Sequence, residues 1–221
     1  MSDNGDDAVL AEAESPEDYH ARIVAAADAE GRLAVAVEEM AGWDIYPYEI
    51  DSLRLKPLQP LAPEEPPRRG EAASDCWCRQ PTGEDDGTLV WSNERWRLQI
   101  ARATGLPITL LLSPLAHHDL PSLPTELAAE LGELIVAVGD AIEHVPSVGR
   151  FQLARYGDGG AHAHLFLMGR PARILQFRGS PLIDWEENLP RVPLEVLQRN
   201  ARVVADRLVV HVGGRAGSLG R

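Results

Sequence analysis

Between Pro124 and His144 the residues Leu127, Leu131, Leu134, Ile135, Val138 and Ile142 recur at helical spacing, which lays one apolar stripe along a helix of about six turns. A stripe of that length must be covered by another apolar surface, and the chain offers short strand patterns on both sides of it. Before it come Thr88 to Trp91, Trp96 to Ala101 around the polar turn Ser92-Asn93-Glu94-Arg95, and the largely apolar Ile108 to Leu112, which reads as a central strand. After it come Phe151 to Tyr156 and His162 to Met168, joined by Gly157-Asp158-Gly159-Gly160, and a second helix from Leu194 to about Val210. Strands, one long helix and more strands predict an α+β domain: an antiparallel sheet with the long helix packed on it and the helices on one side. No internal repeat is present.

This domain is expected to occupy residues 75–221, with 1–74 as an N-terminal extension. Residues 1 to about 14 are acidic and alanine-rich, without periodicity. Ser15-Pro16-Glu17-Asp18 then reads as a helix start, a serine cap with proline and two carboxylates in the first turn, and that helix is expected to run to Glu30 and stop at Gly31. The aromatics Trp43, Tyr46 and Tyr48 precede Pro57, Pro60, Pro63, Pro66 and Pro67. Such spacing predicts an extended arm, and the aromatics favour one that packs down.

A formal charge of −13 argues against general binding to nucleic acid or to an anionic membrane, which needs clustered Lys and Arg. It leaves room for a small phosphate ligand in a locally basic pocket. No apolar run approaches the roughly 20 residues of a membrane helix, and Met1 to Asp7 is acidic where a signal peptide would be basic, so a cytoplasmic protein is expected. The two cysteines, Cys76 and Cys78, sit too close in sequence for an ordinary disulfide.

The segment His162-Ala163-His164-Leu165-Phe166 carries the candidate chemistry. Side chains alternate along a strand, so His162, His164 and Phe166 share one face while Ala163, Leu165 and Leu167 take the other. A His-x-His pair alone can be incidental. Three features add to it: Cys76, Cys78 and His117 lie upstream, enough nitrogen and sulfur donors for a tetrahedral zinc. The Gly157–Gly160 loop offers backbone N–H groups to a phosphate. Arg155, Arg170, Arg173 and Arg178 surround the segment in an acidic chain.

In this order the parts resemble the histidine triad superfamily, which includes the galactose-1-phosphate uridylyltransferase branch. The resemblance runs from about Asp75 to Pro171: a cysteine pair, Asn93-Glu94-Arg95-Trp96, an apolar strand ending Ser113-Pro114-Leu115-Ala116-His117, then Asp119-Leu120 and Leu123-Pro124. The long helix follows, and then the His-x-His strand ending Gly169-Arg170-Pro171. It implies a structural zinc on Cys76, Cys78, His117 and His162, and His164 as the nucleophile that forms a nucleotidyl-histidine. It further implies a nucleotide or nucleotide-conjugate ligand and a homodimer, and the residues around His164, namely Arg155, Gly159, Gly160, Phe166 and Arg170, are expected to form the substrate-binding set.

The chain departs from the family pattern twice. The cysteines stand as Cys76-Trp77-Cys78 where Cys-x-x-Cys is usual, and a pair of small buried side chains beside Trp77 is the competing reading. Phe166 occupies the third triad position, where the family has histidine, or glutamine in the transferase branch. Phenylalanine donates no hydrogen bond, and losing one to developing charge costs about 2–4 kcal/mol unless another donor substitutes. Arg155 and Arg170 are the candidates, against the reading that each is a solvated surface residue. Two functions therefore compete: a hydrolase or nucleotidyltransferase acting through His164, and a zinc-stabilised binding or scaffold protein with weak or no turnover. A catalytic metal with an open position on His117, His162 and His164 is a third, weaker one. Trp91 and Trp96 are expected in the core rather than against a base, and Trp185 to Asn188 is expected to cover the sheet or a partner.

Overall fold

Ile108–Pro114 (β3) is the strand with the most buried residues, and the sheet is assembled around it. The computed structural model describes residues 20–21, 24–35, 46–49, 53, 55–79 and 87–219. Leu89–Ser92 (β1), Trp96–Ile100 (β2), Val148–Ala154 (β4), Leu165–Pro171 (β5) and the two-residue Arg215–Ala216 (β6) complete a six-stranded sheet in the order β4-β5-β3-β2-β1-β6. Every neighbouring pair is antiparallel. Thr125–Glu143 (α1) and Leu194–Val212 (α3) lie on one face. The architecture is thus α+β, with the long helix of the sequence pattern packed on an antiparallel sheet.

Alternation along each strand decides what each face carries. Trp96, Leu98, Ile100, Ile108, Leu110, Leu112, Leu165 and Leu167 point to the helices and join Leu131, Leu134, Val138 and Ile142 of α1 in one core. Each such side chain, fully buried, is worth about 1.5–3 kcal/mol of transfer free energy. Trp91 and Trp96 are wholly buried in this core, and each indole N–H is satisfied: Trp91 Nε1 donates to the Gly213 carbonyl at 2.7 Å, and Trp96 Nε1 to Glu130 of α1 at 2.9 Å.

The opposite face is not bare. Leu182–Asn188 (α2), which the sequence pattern did not resolve as a helix, packs there with Leu106, Met168 and Phe177, so the expectation of helices on one side alone is corrected. It fits closely: a Cβ on Gly105 would come within 2.5 Å of Leu189, and the Gly105 N–H donates to Glu186 at 2.9 Å. Trp185 stacks on Phe177 with centroids 5.2 Å apart, so this segment covers the sheet. By closing one end of this face, α2 leaves the stretch over β2 and β3 open as a cleft.

The chain divides into two compact units, Met1–Pro66 and Pro67–Arg221. In the first, the last helical hydrogen bond runs from Ala25 to Ala21, and Ala25–Gly31 forms turns, so the expected helix stops short of Glu30. Its start at Ser15 lies outside the described residues, as does Trp43. Asp28 accepts from the N–H groups of Glu30 and Arg32, an Asx turn that competes with the helix there, and Gly31 takes a positive φ. Residues 55–62 form no regular element, in keeping with an extended proline-rich run. Residues 67–74, grouped with the extension on sequence, belong to the second unit. Among the described residues no helix is long and apolar enough to cross a membrane.

Candidate metal centre and anion cleft

The two histidines lie just ahead of β5 rather than within it. Backbone groups there bond to neighbouring loops instead of a strand: Ala161 N–H donates to the Arg69 carbonyl at 3.0 Å and Ala163 N–H to the His118 carbonyl at 2.7 Å. Alternation survives nonetheless. Ala163, Leu165 and Leu167 are buried, whereas His162, His164 and Phe166 line a cleft of about 590 Å³ on the other side.

A carbonyl oxygen can only accept, and that fixes which nitrogen of each ring carries the proton. His162 donates from Nε2 to the Pro114 carbonyl at 2.9 Å, leaving the Nδ1 lone pair free. His164 donates from Nδ1 to the His162 carbonyl at 2.8 Å, leaving Nε2 free. The adjacent imidazoles therefore hold opposite tautomers. One aims a lone pair at the cysteines, and the other keeps its lone pair for the cleft.

His162 Nδ1 lies 3.4 Å from Cys76 Sγ, and His117 Nδ1 lies 3.4 Å from Cys78 Sγ. One donor atom from each of these four residues falls within 4.8 Å of every other. Zn–S bonds of about 2.3 Å and Zn–N bonds of about 2.0–2.1 Å at tetrahedral angles separate S from N by about 3.6 Å, so the observed distances suit the edges of a zinc tetrahedron. The donors are two sulfurs and two nitrogens, the chemistry zinc takes in closed structural sites. Burial pushes His162 below the ordinary histidine value, with the neighbouring His117, Arg97 and His164 adding to the effect and the Pro114 bond opposing it, a direction that favours the neutral ring a metal ligand needs. Burial also pushes the Cys78 thiol up, aided by its hydrogen bond to Cys76.

The narrow Cys-x-Cys spacing works because the chain breaks between two 3-10 turns. Ala73–Asp75 ends at Cys76, whose backbone is extended, and Trp77–Arg79 begins at once. Both sulfurs reach the histidines, and Trp77 reaches the cleft. Its ring lies 4.4 Å from that of His162, and the Arg97 guanidinium sits 3.5 Å over it.

Arg69, Arg97, Gln99, Ser113, Tyr156 and the Gly159–Gly160 backbone also line this cleft, and among the described residues no carboxylate does. A Cβ on Gly160 would lie 3.9 Å from His164 Cε1, which places the glycine loop beside the His164 ring. Two expected residues are not in the cleft. Arg170 is buried with its NH1 donating to the Pro171 carbonyl and its head against Gly149, and Arg155 is held by Asp119 at 2.8 Å. Arg69 and Arg97 face it instead, and neither side chain meets a carboxylate among the described residues. Arg97 was legible: Trp96, Leu98 and Ile100 claim one face of β2, so Arg97 must take the other. Arg69 carried no comparable signal. Burial lowers the Arg97 pKa, opposed by charge at Cys78 and Cys76, yet a guanidinium stays charged near neutral pH.

Asp119 ties the rim together. Its carboxylate meets Arg68 at 2.9 Å and Arg155 at 2.8 Å and accepts from the Leu120 N–H at 2.7 Å, while Arg68 also donates to the Gly157 carbonyl. Burial alone would raise its pKa, but the Arg68 and Leu120 bonds and the two arginine charges outweigh this and hold it below the usual carboxylate value. A depressed carboxyl stabilises the fold above its unfolded pKa of about 3.9 and loses that contribution as the pH falls through the folded value. Asp119→Asn should therefore cost about 2 kcal/mol in urea unfolding at pH 7. The gap between variant and wild type should close as the pH falls below the unfolded pKa of about 3.9 and through the lower folded value; a gap independent of pH would sink this account.

No family model matches the chain. No curated protein matches it either. Several solved structures resemble part of it. One is a histidine-triad-like protein of Bartonella henselae, 14% identical, with a TM-score of 0.44 over 55% of this chain and 86% of that one. Another is a zinc-bound histidine triad family protein of Mycobacterium smegmatis, 18% identical, with a TM-score of 0.42 over 55% and 84% of the two chains. A third is a hypothetical histidine triad nucleotide-binding protein of Sulfolobus tokodaii, 15% identical, with a TM-score of 0.43 over 61% and 94%.

Proposed function

We propose that this protein binds a nucleotide or nucleotide conjugate and, through His164, breaks a bond at its α-phosphorus. The observation that carries the reading is the pair of opposite tautomers, which frees His164 Nε2 toward a cleft lined by two arginines and, among the described residues, no carboxylate. In the first step a P–Nε2 bond forms as the bond from phosphorus to the leaving group breaks, and the leaving group departs with the electron pair. Water, or a second acceptor, then displaces the imidazole and releases the nucleotide. The His162 carbonyl, by accepting from Nδ1, stabilises the positive charge that the ring gains in between.

Zinc on Cys76, Cys78, His117 and His162 would have every position filled by protein and would supply rigidity, fixing the approach to β5 and with it the angle of His164. No open position is left for water, which weighs against the metal-hydrolase alternative.

The donor absent at Phe166 is supplied in this reading by Arg69, whose backbone pairs with Gly160 beside His164. Arg155 and Arg170, engaged elsewhere, are not that donor. A second reading, nucleotide binding with little turnover, rests on Phe166 itself. Incubation with nucleoside phosphoramidates, dinucleoside polyphosphates and nucleotide sugars decides between the two. Product together with a transient mass gain of one nucleotidyl group supports chemistry. Saturable binding without either supports the second reading, and no binding to any of the panel overturns both.

A further inference from the structure

The partners of the arginines across this unit differ sharply. Arg68 and Arg155 share Asp119, Arg95 meets Glu130, Arg191 meets Glu186, and Arg207 meets Asp140. Among the described residues Arg97, on the cleft floor, has only a long 3.5 Å contact from Nε to the Ser113 hydroxyl and the face of Trp77 beneath it. Stacking fixes the plane of a guanidinium while leaving its N–H edge to recognise something else. That edge opens into a cleft with no carboxylate among the described residues, in a chain of net charge −13. A planar cation held this way suits a bidentate anion.

Its place on the sheet separates it from the reactive histidine. Arg97 pairs with Ser113 across β2 and β3, and Leu112 pairs with Leu165 across β3 and β5, so the row through Arg97 and Ser113 continues toward His164. Two strand spacings, about 10 Å of backbone, lie between them. Arg69, through the Gly160 loop, stands at the His164 end.

The geometry points to a second anion subsite formed by Arg97 on Trp77, so that the ligand presenting a phosphate to His164 carries a further, separate negative group that docks on the Arg97 fork. The inference rests on the nucleotide reading for the class of ligand, a nucleotide with a second phosphate remote from the reacting one. It also gives the tight cysteine spacing a consequence: the single residue between two zinc-ligand candidates is the platform of the subsite.

Calorimetric titration of the zinc-loaded protein with AMP, adenosine 3′,5′-bisphosphate and inorganic pyrophosphate tests it. Adenosine 3′,5′-bisphosphate should bind about 10-fold more tightly than AMP, the effect of one charge-assisted contact. Arg97→Gln should bring the two within about 2-fold while changing AMP affinity by less than about 3-fold, and Arg97→Lys, which keeps charge without the fork, should restore only part of the preference. Thermal unfolding confirms that the variants fold, and Arg97→Lys keeps the test valid if Arg97→Gln does not. AMP and bisphosphate bound equally by wild type, or a preference that survives Arg97→Gln, overturns the subsite and leaves the nucleotide reading standing. Pyrophosphate bound through Arg97 without any binding of AMP keeps the subsite and overturns the nucleotide reading. No binding of any of the three overturns both.

Discussion

Purified in the presence of zinc, the protein should carry one zinc per chain, and Cys76→Ser should abolish that stoichiometry. Two sulfur–nitrogen pairs already stand 3.4 Å apart, all four donor atoms lie within 4.8 Å of one another, and the Pro114 carbonyl has already chosen the His162 tautomer. Little is left to be organised on binding, so the binding free energy is expressed as stability of the folded chain. With free zinc 1,000-fold above its dissociation constant the gain is about 4.1 kcal/mol. For a chain of this size that is an upward shift in Tm of about 8–16 °C over the chelated protein. Cobalt in place of zinc should show the visible absorption of tetrahedral coordination with sulfur-to-metal charge transfer, reduced by Cys78→Ser. Substoichiometric metal after loading, with Tm unmoved by chelator, would falsify the metal centre and leave Cys76 and Cys78 as two small side chains beside Trp77.

The sheet and its long helix were legible because their signals are local. The stripe from Leu127 to Ile142 gives Thr125–Glu143, and Ile108 to Leu112, expected as a central strand, lies between β2 and β5. The strand ends were less so. β4 begins at Val148, three residues before the expected Phe151, and β5 at Leu165, three after His162, because loop hydrogen bonds from residues 69 and 118 capture the backbone of 161–163. What sequence could not reveal is competition between partners. Arg155 and Arg170 are near the histidines in sequence, but Asp119 takes the first and the Pro171 carbonyl the second. Arg97, more than sixty residues away in sequence, reaches the cleft because a neighbouring strand brings it there. Proximity along the chain misled where strand alternation would have served.

Removing the free lone pair should have the larger effect on chemistry. His164→Ala should eliminate the nucleotidyl adduct from intact-mass spectra and reduce turnover on the order of 10⁴-fold, as expected for loss of a nucleophile. Because the ring is only part-buried and, among the described residues, its one hydrogen bond is to the neighbouring His162 carbonyl, zinc content and Tm should stay close to wild type. That combination separates chemistry from architecture: a His164→Ala variant that also lost zinc would show the two imidazoles acting as one structural unit. Phe166→His refines the test. Its ring meets that of His164 edge-on with centroids 5.7 Å apart, so a histidine there would stand on the cleft side near the reacting phosphate. If the leaving group lacks a donor in wild type, Phe166→His should raise kcat by about 30- to 1,000-fold, the worth of 2–4 kcal/mol of transition-state stabilisation. If Arg69 already supplies that donor, the gain should be small and Arg69→Gln should erase turnover in wild type while sparing it in Phe166→His. Turnover insensitive to His164, Phe166 and Arg69 alike would move the reaction, if there is one, away from this cleft.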